Sequence, residues 1–515
     1  MREIELKFLI QNSRLKGLMR QARVKSSKVT QLAAHYYDTP KQKLAHAGIG
    51  LRIRKEGDTW VQTIKAGGDG IAARLEHNAK LDSEQVEEML DNNQLMPDLT
   101  IYKNTPIAPA LASFKRKKLN KNLTKLYVTD VERTTRILAE SNDNEDDNSI
   151  EVAYDYGKII HGSDEEQQFT IHEIEFELIS GDIDFLFATA KTWCKRYKLC
   201  LSTVTKAERG GLLINGQNHS PAVSADLSQL IAHKDSSMPA FIRAAVHNCL
   251  LHILPNSSAI VAGSENDDHV LQLRLGLSRL QAAINTFAGG SDEINPDWLP
   301  ILKQTTSLLS NYRDLTYISN HIDPGLQQHG APAVNWEKDI DTLKIKPIDA
   351  VSANDFQLML LDLIAFTMSD PNLEPNAETL ASEQLPNNLS VQQKQLTKAL
   401  NDFEKENDSD IDDSQALTEI DNQINNLCYS SELAAPLLQK KYSKKKTKRW
   451  LKHLLKTKKA LQQYRGHSRF QQHYQKKSKT DPQALFGVGW YAIKLNTYDK
   501  QLKNRLAKLK GRAVF

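Results

Sequence analysis

The sequence predicts an α+β protein in two parts: a strand-rich N-terminal part whose sheet closes on itself, and an all-α helical-bundle part behind it. Three observations predict this. The chain has 515 residues, more than one hydrophobic core accommodates. Residues 1 to about 213 carry short segments in which apolar and charged residues alternate, the period of a β-strand. From about residue 225 the period lengthens. Val270, Leu273, Leu277, Leu280, Ile284 and Phe287 keep the three-four spacing of an amphipathic helix.

The strand segments read 2–10, 34–38, 49–55, 59–65, 71–76, 126–138, 150–155, 159–161 and 170–179. Turn signals such as "AGIG", "EGD" and "AGGDG" separate them. Helices flank them at 12–22, 83–91 and 182–198, the last after an "SGD" N-cap signal. The acidic stretch 140–149 reads as a hairpin loop. Residues 214–229, containing "NGQNHSPAVSADLS", read as a linker, so the expected domains are 1–213 and 230–515. The second domain reads as helices at 238–254, 270–287, 297–318, 353–367, 390–404, 414–429, 432–475 and 482–508. An acidic loop is expected at 404–414.

Composition excludes several classes. The net charge is +4 and the pI near 8.5, so the distribution of charge says more than its sum. Cys194, Cys200, Cys249 and Cys428 show no CxxC spacing, which argues against a zinc site or a disulfide framework and for a reduced, cytoplasmic setting. The N-terminus carries Glu3 and no apolar h-region, so no secretory signal is expected. No stretch approaches the roughly 20 apolar residues that span a bilayer, so no membrane partner is expected.

The charged faces of the strands carry the chemistry. In "REIELKFL", Glu3, Glu5 and Lys7 alternate with Ile4, Leu6 and Phe8. Arg52 and Arg54 share a face in "LRIRK", Thr63 and Lys65 in "WVQTIK", and Arg74 and Glu76 in "ARLEH". Glu173, Glu175 and Glu177 alternate with Ile174, Phe176 and Leu178. Arg133 lies in "DVERTTR", Asp155 in "AYDYG", and Lys206 and Arg209 in "TKAERGG". One such strand is ordinarily a solvated outer face. With this many, aliphatic faces packed outward force the charged faces to point at one another, and a closed sheet then encloses a charged corridor. Buried unpaired charge costs many kcal/mol, so the corridor must be wet or hold a charged ligand. Lys7, Arg52, Arg54, Lys65, Arg74, Arg133 and Lys206 suit several phosphates. Glu3, Glu5, Glu173 and Glu175 would repel a polyanion, but make sense as oxygen ligands of a hard divalent cation that bridges to phosphate oxygens. A triphosphate with Mg2+ or Mn2+ fits both sets.

These residues carry a family resemblance. "EIELK" is similar to the ExExK signature of the CYTH superfamily, the triphosphate tunnel metalloenzymes. "HYYDT", "LRIR", "TIK", "RLE", "VAYDYGKI", "HEIEFEL" and "TKAERGG" follow in the family's order over about residues 1–213. The resemblance implies an antiparallel eight-stranded tunnel barrel and divalent-metal-dependent cleavage of triphosphates. It implies metal carboxylates at Glu3 and Glu5 with Glu173 and Glu175 opposite. It implies phosphate contacts at Lys7, Arg52, Arg54, Lys65, Arg74 and Arg133, and a tunnel-mouth lysine at Lys206. Glu76 and Asp155 match motif positions that orient the cations. Arg209 belongs to the "K-x-E-R" element, and Arg136 faces inward if its strand carries a bulge.

The C-terminal part resembles a CHAD domain, in "HVLQLRLGLSRLQAAINTF" and "NYRDL". Arg274 and Arg279 match its arginines. Leu271 stands where its characteristic histidine is expected, Ser278 replaces one of the paired arginines, and His269 lies two residues early. Residues 440–479 hold sixteen Lys and Arg and no acidic residue. Trp450, Leu451, Leu454, Leu455 and Leu461 supply a packing stripe. Such a run is either a solvated face or a polyanion contact. The resemblance favours inorganic polyphosphate, with Arg274, Arg279, Lys444, Lys445, Lys448, Arg449 and Lys452 as the candidate contacts. No nucleic-acid fingerprint accompanies the run, and its aromatics are too sparse for base stacking.

The reaction expected is hydrolysis of inorganic triphosphate to pyrophosphate and phosphate. Alternatives within the superfamily are hydrolysis of thiamine or nucleoside triphosphates and adenylate cyclisation. The alternative of another class is a polyphosphate-binding protein that does not cleave its ligand.

Overall fold

The structure, a computed structural model, describes residues 2–22, 26–68, 71–140, 148–405 and 415–509. The loops expected at 140–149 and 404–414 lie largely outside the described residues. The chain forms two compact units. The first comprises Met1–Ala222, Leu254–Ser264 and Ser352–Ala365; the second comprises Val223–Ile253, Glu265–Val351 and Phe366–Phe515.

The first unit is built on β1 (Arg2–Leu9), β2 (Lys28–Asp38), β3 (Gly50–Glu56), β4 (Thr59–Gly68), β5 (Ala73–Leu81), β6 (Thr124–Glu140), β7 (Asn148–His161) and β8 (Gln168–Ser180). They pair antiparallel in the order β5-β4-β3-β2-β6-β7-β8-β1, and β1 pairs back onto β5, so the barrel is closed. A two-residue strand, β9 (Cys200–Leu201), adds to β1.

Apolar alternates pack outward over much of the barrel, while Tyr36, Val131, Ile159 and Ile171 form a core on the inward face with Leu213. Helices α1 (Asn12–Ala22), α2 (Ser83–Asp91), α3 (Arg116–Lys121) and α4 (Ile183–Tyr197) flank the strands. Phe8 of β1 meets Phe176 of β8 edge-on at 5.6 Å, and Phe176 meets Trp193 of α4 at 5.5 Å. On the far side Leu51, Ile53, Trp60 and Ile64 form one core with Val86, Leu99, Tyr102 and Leu111. Each such side chain contributes roughly 1.5–3 kcal/mol on full burial. That burial fixes which face of every strand is left to line the interior.

Two readings of this region change. The segments 150–155 and 159–161 are one strand, β7. Gly157, between them, crosses Val131 so closely that a Cβ would lie 2.1 Å from the Asp130 carbonyl oxygen. Only glycine tolerates that approach, and its missing side chain breaks the apolar alternation. Residues 206–214 form a helix, α5 (Lys206–Ile214), opened by a capping box. The Glu208 amide donates to Thr205 Oγ1 at 3.0 Å, and the Thr205 amide donates to Glu208 Oε2 at 2.7 Å.

The second unit is helical. It draws on the helix Met238–Val261 as far as Ile253, and on Asp267–Phe287, Trp298–Tyr317, Ala381–Lys405, Gln415–Ala434, Lys445–Ser478 and Leu485–Leu509. Two boundaries differ from expectation. The helix expected to stop at 254 runs through Pro255 to Val261, because buried Ala259 and Ile260 continue its apolar face. The helix expected at 432–475 does not start until Lys445. Pro436, with no N–H, ends the preceding helix, and a short turn at Gln439–Tyr442 intervenes. No helix among the described residues is long and apolar enough to cross a membrane.

Candidate active site

Strand register decides which charged side chains share the barrel interior. Glu3 pairs with Arg74, Glu5 with Glu177, and Lys7 with Glu175. Glu177 pairs onward with Glu151, and Glu173 with Asp155, which pairs with Arg133. Lys65 pairs with Glu76, and Arg52 with Thr63 on one side and Tyr36 on the other. Directly opposed residues project to the same face of a sheet, so all of these line the interior.

One end of the set is a neutralised cluster. Arg133 donates through Nε to Asp155 Oδ1 at 2.7 Å and through Nη2 to Asp155 Oδ2 at 2.6 Å, and Nη2 also donates to Glu175 Oε2 at 2.5 Å. Lys206 Nζ, at the start of α5, lies 2.7 Å from Asp155 Oδ2 and 2.9 Å from Glu175 Oε1, and pairs with Glu173. Asp155 and Glu173 are fully buried. Burial alone would push these groups toward neutrality, but mutual attraction wins. Lys206 and Arg133 hold the Asp155 and Glu175 carboxyls below their usual range, while the carboxylates raise Lys206 and Arg133. Arg209 donates to the Thr170 carbonyl at 2.5 Å and stands 4.0 Å from Glu173.

The other end is short of cations. Lys65 Nζ lies 2.8 Å from both Glu3 Oε2 and Glu76 Oε2, and 3.8 Å from Glu5 Oε2. Glu177 and Glu151 extend the same acidic surface. Burial raises Glu3 to about 8 against the pull of Lys65, with Glu76 and Glu5 adding to the rise. Burial raises Glu177 to about 7, again against Lys65 and helped by Glu5, Glu151 and Glu76. Glu76 is also pushed up by burial, yet Lys65, its hydrogen bond with Glu3 and Arg52 together lower it.

The remaining cations face the bore with donors to spare. Arg52 Nη1 donates to Tyr36 Oη at 3.2 Å, and Arg54 pairs with Glu56. The Nε atoms of Arg52 and Arg54 are buried without a hydrogen-bond partner. Burial and the neighbouring Arg52 guanidinium lower Arg54 to about 10. At the mouth a cavity is lined by Glu3, Glu5, Lys7, Arg74, Ser202 and Thr203, with Ile71 and Ala72. Lys7 Nζ donates to the Val204 carbonyl at 3.2 Å and lies 3.8 Å from Glu175.

Residues 1–210 match the CYTH domain family and residues 244–473 the CHAD domain family. The chain carries a CYTH domain followed by a CHAD domain. The chain is 33% identical over 181 residues to the inorganic triphosphatase of Haemophilus influenzae (strain Rd). That match covers 35% of this chain and spans 44% of the relative's length. Among solved structures, the CHAD domain of the plant Ricinus communis aligns at 18% identity over 57% of this chain and 99% of that one, with a TM-score of 0.45. A Hippeastrum protein, described as an adenylyl cyclase with a dominant triphosphatase activity, aligns at 16% identity over 42% of this chain and 96% of that one, with a TM-score of 0.29.

The CYTH interior brings together Lys7, Arg52, Arg54, Lys65, Arg74, Arg133, Lys206, Glu3, Glu5, Glu76, Asp155, Glu173 and Glu175. It does not bring in Arg136. Arg136 pairs with Val152 in an unbulged ladder, three residues from Arg133, and so projects from the opposite face. The pairing of carboxylates also differs from expectation. Glu177, not Glu173 or Glu175, stands across from Glu5. Glu177, Glu151 and Tyr36 were not among the expected site residues. Each was legible as an inward alternate, Glu177 two residues beyond Glu175 and Glu151 four before Asp155.

Among the described residues, one carboxylate group brings its oxygens close enough together to share a cation. Oxygens of Asp155, Glu173 and Glu175 come within 4.8 Å of one another. That group is already matched by Lys206 and Arg133. Glu3, Glu5 and Glu76 surround Lys65 without converging as closely, and burial raises Glu3 and, beyond them, Glu177. An all-oxygen donor set suits a hard divalent ion, so the residues of either set are chemically suited to one.

In the CHAD domain, Lys444, Lys445, Lys448, Arg449 and Lys452 are exposed. Leu455, expected in the packing stripe, is 51% exposed, and the buried stripe is Trp450, Leu454 and Leu461 with Thr447, Thr457 and Tyr464. Leu451 and Leu455 instead floor a surface depression rimmed by Lys448, Lys452, Lys456 and Lys459. Arg274 is lowered by burial and by Arg313 and Arg469. Arg279 is buried, with no hydrogen-bond partner at any of its three nitrogens, so it is not part of the exposed basic surface.

Proposed function

We propose that the CYTH domain hydrolyses inorganic triphosphate to pyrophosphate and phosphate with a divalent cation, Mg2+ or Mn2+. The observation that carries this reading is the convergence, inside one closed barrel, of cations with unfilled donors and carboxylates short of positive charge. Arg52, Arg54 and Arg74, with Lys7, offer donors along a chain of phosphates. Arg133 and Lys206 are held in place by Asp155, Glu173 and Glu175, and so present fixed charge at low reorganisation cost. Glu3, Glu5 and Glu177, with Glu76 and Glu151 beside them, would hold the divalent ion. When bound, that ion supplies Lewis-acid neutralisation of the phosphate oxygens. In the reaction a water oxygen bonds to phosphorus, a P–O–P bond breaks, and the proton of the water leaves with solvent or product. The protein's share is alignment and charge stabilisation, as is general for phosphoryl transfer. The choice of an inorganic over an organic triphosphate is supported by the likeness to the inorganic triphosphatase of Haemophilus influenzae.

We assign catalysis to residues 1–213 and propose that the basic face of the helical part, 230–515, binds inorganic polyphosphate. The test is phosphate release from triphosphate with Mg2+ or Mn2+, abolished by EDTA, in a panel with longer polyphosphate, ATP and thiamine triphosphate. Release from triphosphate at the highest kcat/KM supports the proposal. Binding without release in any metal favours the non-catalytic alternative.

A further inference from the structure

The mouth cavity is bordered by a short strap, residues 201–205, that leads from β9 into α5. Every backbone amide along it has a named acceptor. The Ser202 amide donates to the Lys7 carbonyl at 2.9 Å, the Val204 amide to Ser202 Oγ at 3.3 Å, and the Thr205 amide to Glu208. The other two acceptors come from helices far along the chain but within the same compact unit. The Leu201 amide donates to Gln357 Oε1 at 2.7 Å, and the Thr203 amide donates to Ser258 Oγ at 3.0 Å. Gln357 and Ser258 are 1% and 2% exposed.

The strap sets two site cations. Lys7 Nζ donates to the carbonyl of Val204, and Lys206 follows Thr205 as the first residue of α5. Ser202 and Thr203 line the cavity beside Glu3, Glu5 and Arg74. We propose that Ser258 and Gln357 are positioning residues of the tunnel, fixing the strap so that Lys7 and Lys206 are held at the phosphate path. This rests on the phosphate-binding role assigned above. Removing Gln357 Oε1 leaves a buried amide unpaired, and removing Ser258 Oγ leaves a half-buried one unpaired. The strap then shifts to find another partner, carrying the Val204 carbonyl and the start of α5 with it. A displacement of about 1 Å is enough to cost roughly a hundredfold in catalysis where alignment supplies the rate.

The test uses the full chain with Ser258→Ala, Gln357→Leu, Ser258→Thr and, as control, Ser257→Ala. Ser257 is the neighbouring buried serine, and its hydroxyl has no hydrogen-bond partner. Two readouts are taken: triphosphate affinity by calorimetry in EDTA, and steady-state phosphate release with Mg2+. Expected are a tenfold or greater weakening of triphosphate binding and rise in KM for Ser258→Ala and Gln357→Leu. Recovery to within threefold is expected for Ser258→Thr, which keeps the oxygen, and no change for Ser257→Ala. Affinity and KM equal to wild type in both strap variants overturn the inference, as does an equal loss in Ser257→Ala. If Gln357→Leu lowers the yield of folded protein, Ser258→Ala, which removes one oxygen, decides alone. The calorimetric arm stands without turnover. A wild type that binds triphosphate but releases no phosphate defeats the hydrolase proposal and leaves the strap result to be read from affinity.

Discussion

Glu5 on β1 stands directly opposite Glu177 on β8, and Glu177 in turn stands opposite Glu151 on β7. Three carboxylates therefore lie in one row across three strands. Like charges directly opposed destabilise a ladder, and Lys65, which reaches Glu5 only at 3.8 Å, is shared with Glu3 and Glu76. A divalent ion held there, as proposed, would relieve that repulsion. Replacing Glu177 with Gln keeps the shape and removes one ligand charge. The Mg2+ concentration for half-maximal phosphate release should rise about tenfold or more. An unchanged metal titration would remove Glu177 from the ion site.

Glu5→Gln and Arg54→Ala should fail in different ways. The first leaves the cations intact, so triphosphate affinity in EDTA should stay within a few-fold while turnover falls below detection. The second removes charged donors from the phosphate path, so affinity should drop roughly ten- to hundredfold. Calorimetry and phosphate release on both variants separate the roles. Equal losses of affinity would contradict the division between acids and bases.

The raised carboxyls predict a pH dependence. Glu3 at about 8 and Glu177 at about 7 retain protons in the folded, metal-free protein that the unfolded chain loses near pH 4.5. The folded state thus binds more protons between those limits, and these two groups cost stability as pH rises from about 4.5 to 8. An ion held by these groups would bind their ionised forms, so its affinity should rise over pH 6 to 8.5 as it competes less with protons. The Mg2+-induced increase in Tm should therefore be larger at pH 8.5 than at pH 6. A metal-induced shift independent of pH would show that these two carboxyls do not hold the ion.

Much of this site was legible in the sequence because period-two alternation fixes faces. Once Phe8 and Phe176 are buried outside, Glu5, Lys7, Glu175 and Glu177 must turn inward. What alternation cannot give is register. The opposition of Glu5 to Glu177, and of Lys7 to Glu175, depends on how two strands 160 or more residues apart align, and no local signal carries that. Gly157 hid the continuity of β7, because the residue that permits close strand approach is also the one that interrupts the pattern. The anchors Ser258 and Gln357 were invisible for a related reason: each is an ordinary polar residue in a helical stretch, and only its tertiary partner gives it a role.

Lys206 should matter to folding as well as to function. It is the shared counter-charge of Asp155, Glu173 and Glu175, two of them fully buried. Removing one partner of a buried ion cluster typically costs about 3–5 kcal/mol, because the charge left behind is uncompensated. Lys206→Met should lower stability by about that amount in urea denaturation. Adding Glu173→Gln to Lys206→Met removes one orphaned charge and should restore part of the loss. Additive destabilisation in the double variant would show that the cluster is not energetically coupled.

The basic face of the CHAD domain offers a test that separates counter-charge from packing. Lys448, Lys452, Lys456 and Lys459 rim the depression floored by Leu451 and Leu455, and each is exposed. Replacing all four with Gln touches none of the buried stripe of Trp450, Leu454 and Leu461. Exposed substitutions of this kind each change stability by less than about 0.5 kcal/mol, so the fold should survive. If this face holds a long polyphosphate, its cations displace counterions from the chain, and affinity then falls steeply with salt. Each contacting cation contributes roughly 0.7 to the slope of log affinity against log salt for a single-stranded polyanion. The fourfold variant should therefore bind a long-chain polyphosphate more weakly and show a slope shallower by roughly 3, read by fluorescence polarisation across a salt series. Wild-type affinity with an unaltered slope would make these lysines a solvated surface and nothing more.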